Sequence, residues 1–217
     1  MRSKAVLFDL DGTLADTASD LGAALNHLRV REALPAMPLA EFRAHASSGA
    51  RGLLKVGFGV LPEDSRYESM RNAFLDYYDA HICVDTRLFP GIAELLAALE
   101  QREIRWGVVT NKSSRFTPRV LAALDVGKRA ACVVCGDSTP HLKPHPASLQ
   151  LAALELQLEP AECIYVGDDF RDIQAARAAG MRSVAVEWGY SVSDQGGPRN
   201  WNADAVIAQP QDLIAFL

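Results

Sequence analysis

Residues 5–17 read AVLFDLDGTLADT, an apolar run that ends in two carboxylates one residue apart, Asp9 and Asp11, followed at once by Gly12 and Thr13. The run, Ala5–Phe8, shows no polar alternation. That is the pattern of a strand covered on both faces, as in a parallel sheet flanked by helices. The acids add a second constraint. Like charges this close repel, and burying either one is costly unless it is paired or bound to a metal.

Four further runs share the strand pattern, at 106–109, 132–134, 163–166 and 183–186. Helical stripes lie between them: Ile92, Leu95, Leu96 and Leu99; Phe116, Val120, Leu121 and Leu124; Leu149, Ala152, Ala153 and Leu156; then Ile173, Ala176 and Ala179, stopped by Gly180. This alternation predicts an α/β, Rossmann-like, doubly wound parallel sheet, closed by a short strand at Ala205–Ile207 and a helix at 212–217. Between the first strand and Ile92 no strand is expected. Three helical stripes occur there instead, around Leu21–Leu28, Leu53–Phe58 and Tyr67–Tyr77, and Ser65 and Glu68 have capping-box spacing. The expected division is a core of residues 1–17 and 85–217 with an all-helical cap over 18–84. The stripe Tyr67, Phe74, Tyr77 and Tyr78 is expected to be the core of that cap.

A chain of 217 residues with 49% hydrophobic residues can bury both units. The net charge of −5 argues against nucleic acid or an anionic membrane as the partner. No apolar run approaches the roughly 18 residues that span a bilayer. Arg2 and Lys4 precede a short apolar run, but Asp9 and Asp11 interrupt it, so a cytoplasmic address is expected. Cys132 and Cys135 form C-x-x-C inside a strand run, where i and i+3 point to opposite faces, so these thiols, with Cys83 and Cys163, are expected to be unlinked.

In open α/β sheets ligands bind beyond the carboxyl ends of the strands. The first strand ends in Asp9 and Asp11, the second in Thr110-Asn111-Lys112, and the third leads to Lys143. The fourth ends in Gly167-Asp168-Asp169, with Asp172 behind. One edge therefore gathers acids, a hydroxyl and two lysines, a set suited to phosphoryl transfer with a divalent metal. Asp9 would stay ionised on Mg²⁺. Asp11, offering its carbonyl to the metal, could be biased toward its proton by Asp9 and partial burial.

Asp9-x-Asp11-Gly12-Thr13, Thr110, Lys143 and Gly167-Asp168-x-x-x-Asp172, in this order, resemble the four motifs of the haloacid dehalogenase superfamily. The likeness covers nearly the whole chain, the helical insertion standing where that family carries its cap. It implies Asp9 as nucleophile and Asp11 as acid/base. It also implies Thr110, Asn111 and Lys143 on phosphate, and Mg²⁺ held by Asp9, Asp11 and Asp168. Asp169 and Asp172 would support these ligands. Dehalogenating members usually lack the second aspartate of the first motif, so Asp11 points to phosphoesters. SSGARGLL, WGVVTNK and GDDFRDI resemble the phosphoglycolate phosphatase branch, and more narrowly bacterial phosphatases of N-acetylmuramic acid 6-phosphate, which would place the chain in cell-wall sugar recycling.

Arg51 and Gly49 in SSGARG, and Lys112, are the candidates for reading the leaving group, although a solvated surface role suits Arg51 and Lys112 equally. Thr110 could instead cap a following helix, and Asp172 could be a first-turn helix charge. Trp188 and Tyr190 fit either the border of the site or plain packing; His141 and His145 fit a solvated loop. The expected partner is a small phosphorylated metabolite, acted on by a monomer or homodimer. The rivals are a phosphosugar mutase of the same fold and a phospho-accepting signalling domain; the latter needs neither a cap nor an acid two residues after the nucleophile.

Overall fold

The computed structural model describes residues 3–190 and 196–217; Arg2 lies outside them. In chain order the regular elements begin with β1 (Ala5–Phe8), β2 (Ala15–Asp16), α1 (Ala18–Arg31), α2 (Leu39–Phe42), α3 (Gly49–Phe58) and α4 (Tyr67–Ala80). Next come β3 (Arg87–Leu88), α5 (Ile92–Gln101), β4 (Arg105–Val109), α6 (Thr117–Ala123), β5 (Val133–Val134) and α7 (Ala147–Glu155). The last are β6 (Cys163–Gly167), α8 (Phe170–Ala179), β7 (Arg182–Val186) and β8 (Ala205–Ile207). A 3-10 helix, Arg43–Ser48, joins α2 to α3.

Six parallel strands form one sheet in the order β5-β4-β1-β6-β7-β8, so β1 lies centrally between β4 and β6. Its residues alternate between two cores. Val6 and Phe8 join Ile92, Leu96, Val108, Val120 and Val166 on one face. Ala5 and Leu7 join Val109, Leu149, Ala152, Tyr165 and Ala176 on the other. Both sets are apolar because both faces are covered, which is why β1 lacks polar alternation.

The insertion packs α1 against α3 and α4. Glycines allow the closest approaches: a Cβ on Gly22 would meet the Phe42 ring at 2.0 Å, and one on Gly57 would meet Leu25 at 2.5 Å. Tyr67, Phe74 and Tyr78 are buried among these helices. Tyr77 instead stacks between His27 and His81, with ring centroids 4.2 and 4.1 Å away.

Three local expectations are corrected. A two-stranded antiparallel ribbon, β2 with β3, stands at both ends of the insertion, pairing Ala15 with Leu88 and Asp16 with Arg87. Two residues per strand leave no periodicity to detect. The Ser65–Glu68 capping box does not form, because α4 starts at Tyr67 with Arg66 at its cap. The C-terminal helix is a 3-10 helix from Pro210 to Phe216. Gly180 does end α8, with φ +79°. The four cysteines are unlinked. Among the described residues no helix is long and apolar enough to cross a membrane.

Candidate active site

The site is built at the carboxyl edge of β1, β4 and β6. The backbone N–H of Asp9 continues the sheet by donating to Val166 O (2.9 Å). The chain then folds back sharply: Leu10 O accepts from Leu14 and Ala15, and Gly12 adopts φ +93°. A glycine is needed at that turn for φ, and also for space, since a Cβ there would lie 2.3 Å from Asp168 Oδ2. Asp168 is thus pressed against the turn that carries Asp9 and Asp11.

Asp9, Asp168 and Asp172 are buried, and each offers a carboxylate oxygen within 4.8 Å of the others. Lys143 Nζ faces two of them, at 2.9 Å from Asp9 and 2.8 Å from Asp172, and also donates to Tyr165 Oη (2.6 Å). Three carboxylates against one ammonium leave the cluster short of positive charge. Burial and then the charges of Asp9 and Asp172 push the Asp168 carboxyl well above the usual carboxylate range. Burial pushes Asp172 up to about 7 despite Lys143 beside it. Burial works against the Lys143 ammonium too, but Asp172 and Asp9 outweigh it and hold its pKa above the ordinary lysine value. A cluster of hard oxygen donors lacking cation charge fits a divalent ion such as Mg²⁺.

Asp11 is oriented separately. Its carboxylate accepts from Thr17 Oγ1 (2.6 Å) and from Lys112 Nζ (2.9 Å), and that ammonium also lies over the Tyr78 ring, 4.7 Å from its centroid. Thr110, at the end of β4, is buried, and its Oγ1 accepts from Lys112 N (3.2 Å); α6 begins only at Thr117, so Thr110 caps no helix. Asn111 clasps the backbone of Lys143 reciprocally, Nδ2 donating to Lys143 O (3.1 Å) and Oδ1 accepting from Lys143 N (2.9 Å). Asp9, Asp11, Thr110 and Lys143 line one side of a cavity of about 360 Å³; Ser48, Gly49, Arg51 and Arg71 of the insertion line the other.

A family model described as haloacid dehalogenase-like hydrolase matches residues 6–186. The chain belongs to that family. It is a hydrolytic enzyme of the haloacid dehalogenase type. An N-acetylmuramic acid 6-phosphate phosphatase from Pseudomonas putida is 42% identical over 213 residues, covering 98% of this chain and 95% of that one. A phosphoglycolate phosphatase from Xanthomonas campestris pv. campestris is also 42% identical, over 97% of this chain and 94% of that one. Among solved structures, one described as a predicted phosphoglycolate phosphatase from Haemophilus somnus superposes with a TM-score of 0.87 at 26% identity, covering 100% of this chain and 98% of that one.

Within this haloacid dehalogenase framework the sequence-derived residues converge, with three changes of emphasis. Asn111 is spent on the backbone of Lys143. Lys112, a candidate for reading substrate, is buried against Asp11. Asp11 has a cation and a hydroxyl as its immediate partners, which the expectation of a bias toward its proton did not include. Asp169 caps α8, and burial, which would raise its pKa, is outweighed by hydrogen bonds from Arg171 that lower it.

Other residues of this haloacid dehalogenase site escaped the sequence. Thr13 Oγ1 donates to Asp168 Oδ1 (2.9 Å), and the Tyr190 backbone N–H donates to Asp168 Oδ2 (2.9 Å). Ser47 Oγ reaches the same Oδ2 from the insertion (3.4 Å), while Ser47 O accepts from Arg171 Nη2 (3.1 Å). Trp188 Nε1 donates to Thr13 O (3.0 Å). Of these, Thr13 belongs to the first motif and Trp188 and Tyr190 fit the border of the site on sequence, but nothing local pairs Trp188 with Thr13, 175 residues away, and Ser47 carries no signal.

Proposed function

We propose that this hydrolase cleaves small phosphomonoesters through an aspartyl phosphate. The observation that carries the reading is the placement of Asp9: a buried carboxylate at the sheet edge, against Lys143 and the acidic cluster, facing a cavity into which Asp11 also points. An Asp9 oxygen attacks phosphorus, the bond to the leaving oxygen breaks, and Asp11 gives that oxygen its proton. A water molecule then attacks phosphorus, Asp11 takes the water's proton, and the bond to Asp9 breaks to release phosphate. Thr110 and Lys143 hold the phosphoryl oxygens. Asn111 fixes the Lys143 backbone, and Lys112 with Thr17 aims Asp11. Asp9 and Asp168, with the Asp11 carbonyl, would hold Mg²⁺, supported by Asp172 beside Lys143, and its charge would offset the repulsion between the carboxylates and an incoming phosphate.

The helical segment 18–84 serves as the cap that covers the substrate and reads its leaving group. The substrate class is a phosphomonoester that also bears a carboxylate, as 2-phosphoglycolate and N-acetylmuramic acid 6-phosphate both do. Arg51 and Arg71 line the cap side of the cavity, as does Gly49, whose φ of +55° favours glycine. Of the two, the sugar phosphate suits the site better. A cavity of about 360 Å³ walled partly by Leu21, Tyr67, Phe74 and Phe116 exceeds what a two-carbon acid needs.

The test is phosphate release from both compounds, with and without a chelator. Faster turnover of the sugar phosphate, lost on chelation and restored by Mg²⁺, is expected. Release from neither compound, or undiminished release in the chelator, overturns the corresponding part of the reading.

A further inference from the structure

Helix α1 opens the insertion, and its first amides need acceptors that the helix cannot supply. The sequence Asp16-Thr17-Ala18 offers an ordinary solution, a threonine N-cap. Thr17 does stand at the cap position, yet its side chain makes no capping hydrogen bond. Its hydroxyl is turned to Asp11 Oδ1, 2.6 Å away. The Thr17 and Ala18 amides, which a Thr17 side-chain cap would not reach, take their acceptor from the far end of the chain. Tyr190 Oη accepts from Thr17 N (2.6 Å) and Ala18 N (3.0 Å), and donates to Asp16 Oδ1 (3.0 Å). Asp16 Oδ1 also lies 3.4 Å from Ala18 N, a longer and weaker alternative. Arg43 locks the arrangement: it pairs bidentately with Asp16 at 2.9 Å and lies over the Tyr190 ring, 4.9 Å from its centroid. Tyr190 is 1% exposed, so no water competes freely for these bonds.

We infer that Tyr190 is a positioning residue: its phenol holds the Thr17 and Ala18 amides at the start of α1 and so fixes the backbone from which the Thr17 hydroxyl reaches Asp11. One side chain thereby couples the start of the helical insertion to the orientation of the acid/base group. The same residue's backbone holds Asp168, so the acidic cluster and the insertion share a support. Without the phenol, Thr17 N loses its 2.6 Å acceptor and Ala18 N keeps only the 3.4 Å contact to Asp16, so the backbone that aims the Thr17 hydroxyl at Asp11 is less firmly held.

The activity arm of the test rests on the phosphatase reading and uses p-nitrophenyl phosphate with Mg²⁺. Tyr190→Phe keeps the ring under Arg43 and deletes only Oη. It is expected to lower kcat about tenfold with KM within about twofold, and to alter the acid–base limbs of the pH profile. Thr17→Val is expected to lower kcat similarly, and the double variant to be no worse than either single one. A wild-type kcat and pH profile in Tyr190→Phe, or losses that multiply in the double variant, overturn the inference. Hydrogen exchange on the wild-type protein tests the contact independently of activity or of any variant's folding. The Thr17 and Ala18 amides should exchange slowly for first-turn amides; fast exchange overturns the capping role even if the chain proves not to be a phosphatase.

Discussion

Replacing Asp9 by asparagine removes one charge from a cluster that sets three carboxylates against one ammonium. On the proposed mechanism turnover should fall about a thousandfold or more, because an amide cannot form the acyl phosphate. Stability should move the other way: relief of repulsion in the metal-free protein is expected to raise the melting temperature by about 1–4 °C. Phosphate-release kinetics and a thermal melt check both halves. Lys143→Met leaves Asp9 and Asp172 without their shared cation, and a cost of about 3–5 kcal/mol is expected by urea denaturation. The buried thiols give a pH prediction. Burial pushes Cys132 up to about 12 and Cys163 up to about 11, against about 8.5 in an unfolded chain. A folded pKa raised above the unfolded one contributes stability that is intact below about pH 8.5 and lost as pH rises toward 11–12. Melting temperature should therefore fall across that window, and Cys132→Ala should flatten the fall.

At the level of elements, the turn after β1 and the contact between α4 and α6 invite separate tests. Gly12→Ala would force a Cβ into Asp168 at a backbone φ of +93°, so activity and stability should drop together, the latter by about 2 kcal/mol. Arg115 and Arg119 reach across to Asp76 and Asp79 at the end of α4. These pairs are exposed, so Asp79→Ala should cost no more than about 1 kcal/mol at low salt and less at high salt, as urea melts at two ionic strengths will show. The strands and long helices were readable because apolar periodicity extends over whole turns. The β2–β3 ribbon was not readable, because its two-residue strands owe their pairing to chain return rather than to local pattern.

On the scale of the whole molecule, the acidic cluster lacks cation charge in the absence of a metal. Millimolar Mg²⁺ should therefore raise the melting temperature of the wild-type protein, and raise it less in Asp168→Asn. An equal rise in both proteins would argue against Asp168 as a ligand. Segment 18–84 touches the core at Ser47 against Asp168 and Arg171, and at Ala18 against Tyr190.

The sequence by itself determined the parallel sheet, the helical interruption after the first strand and the acids, threonine and lysine at the strand ends. All of these are written in short windows, as periodicity or as residue type at a strand terminus. The tertiary structure alone decided who holds whom. Lys143 divides itself between Asp9 and Asp172, Asn111 grips the Lys143 backbone, Lys112 turns to Asp11, and Tyr190 accepts from the Thr17 and Ala18 amides. Hydrogen-bond partners are set by distance in space. In a doubly wound sheet neighbouring strands come from remote parts of the chain, so the groups meeting at their ends leave no mark in any one stretch of residues.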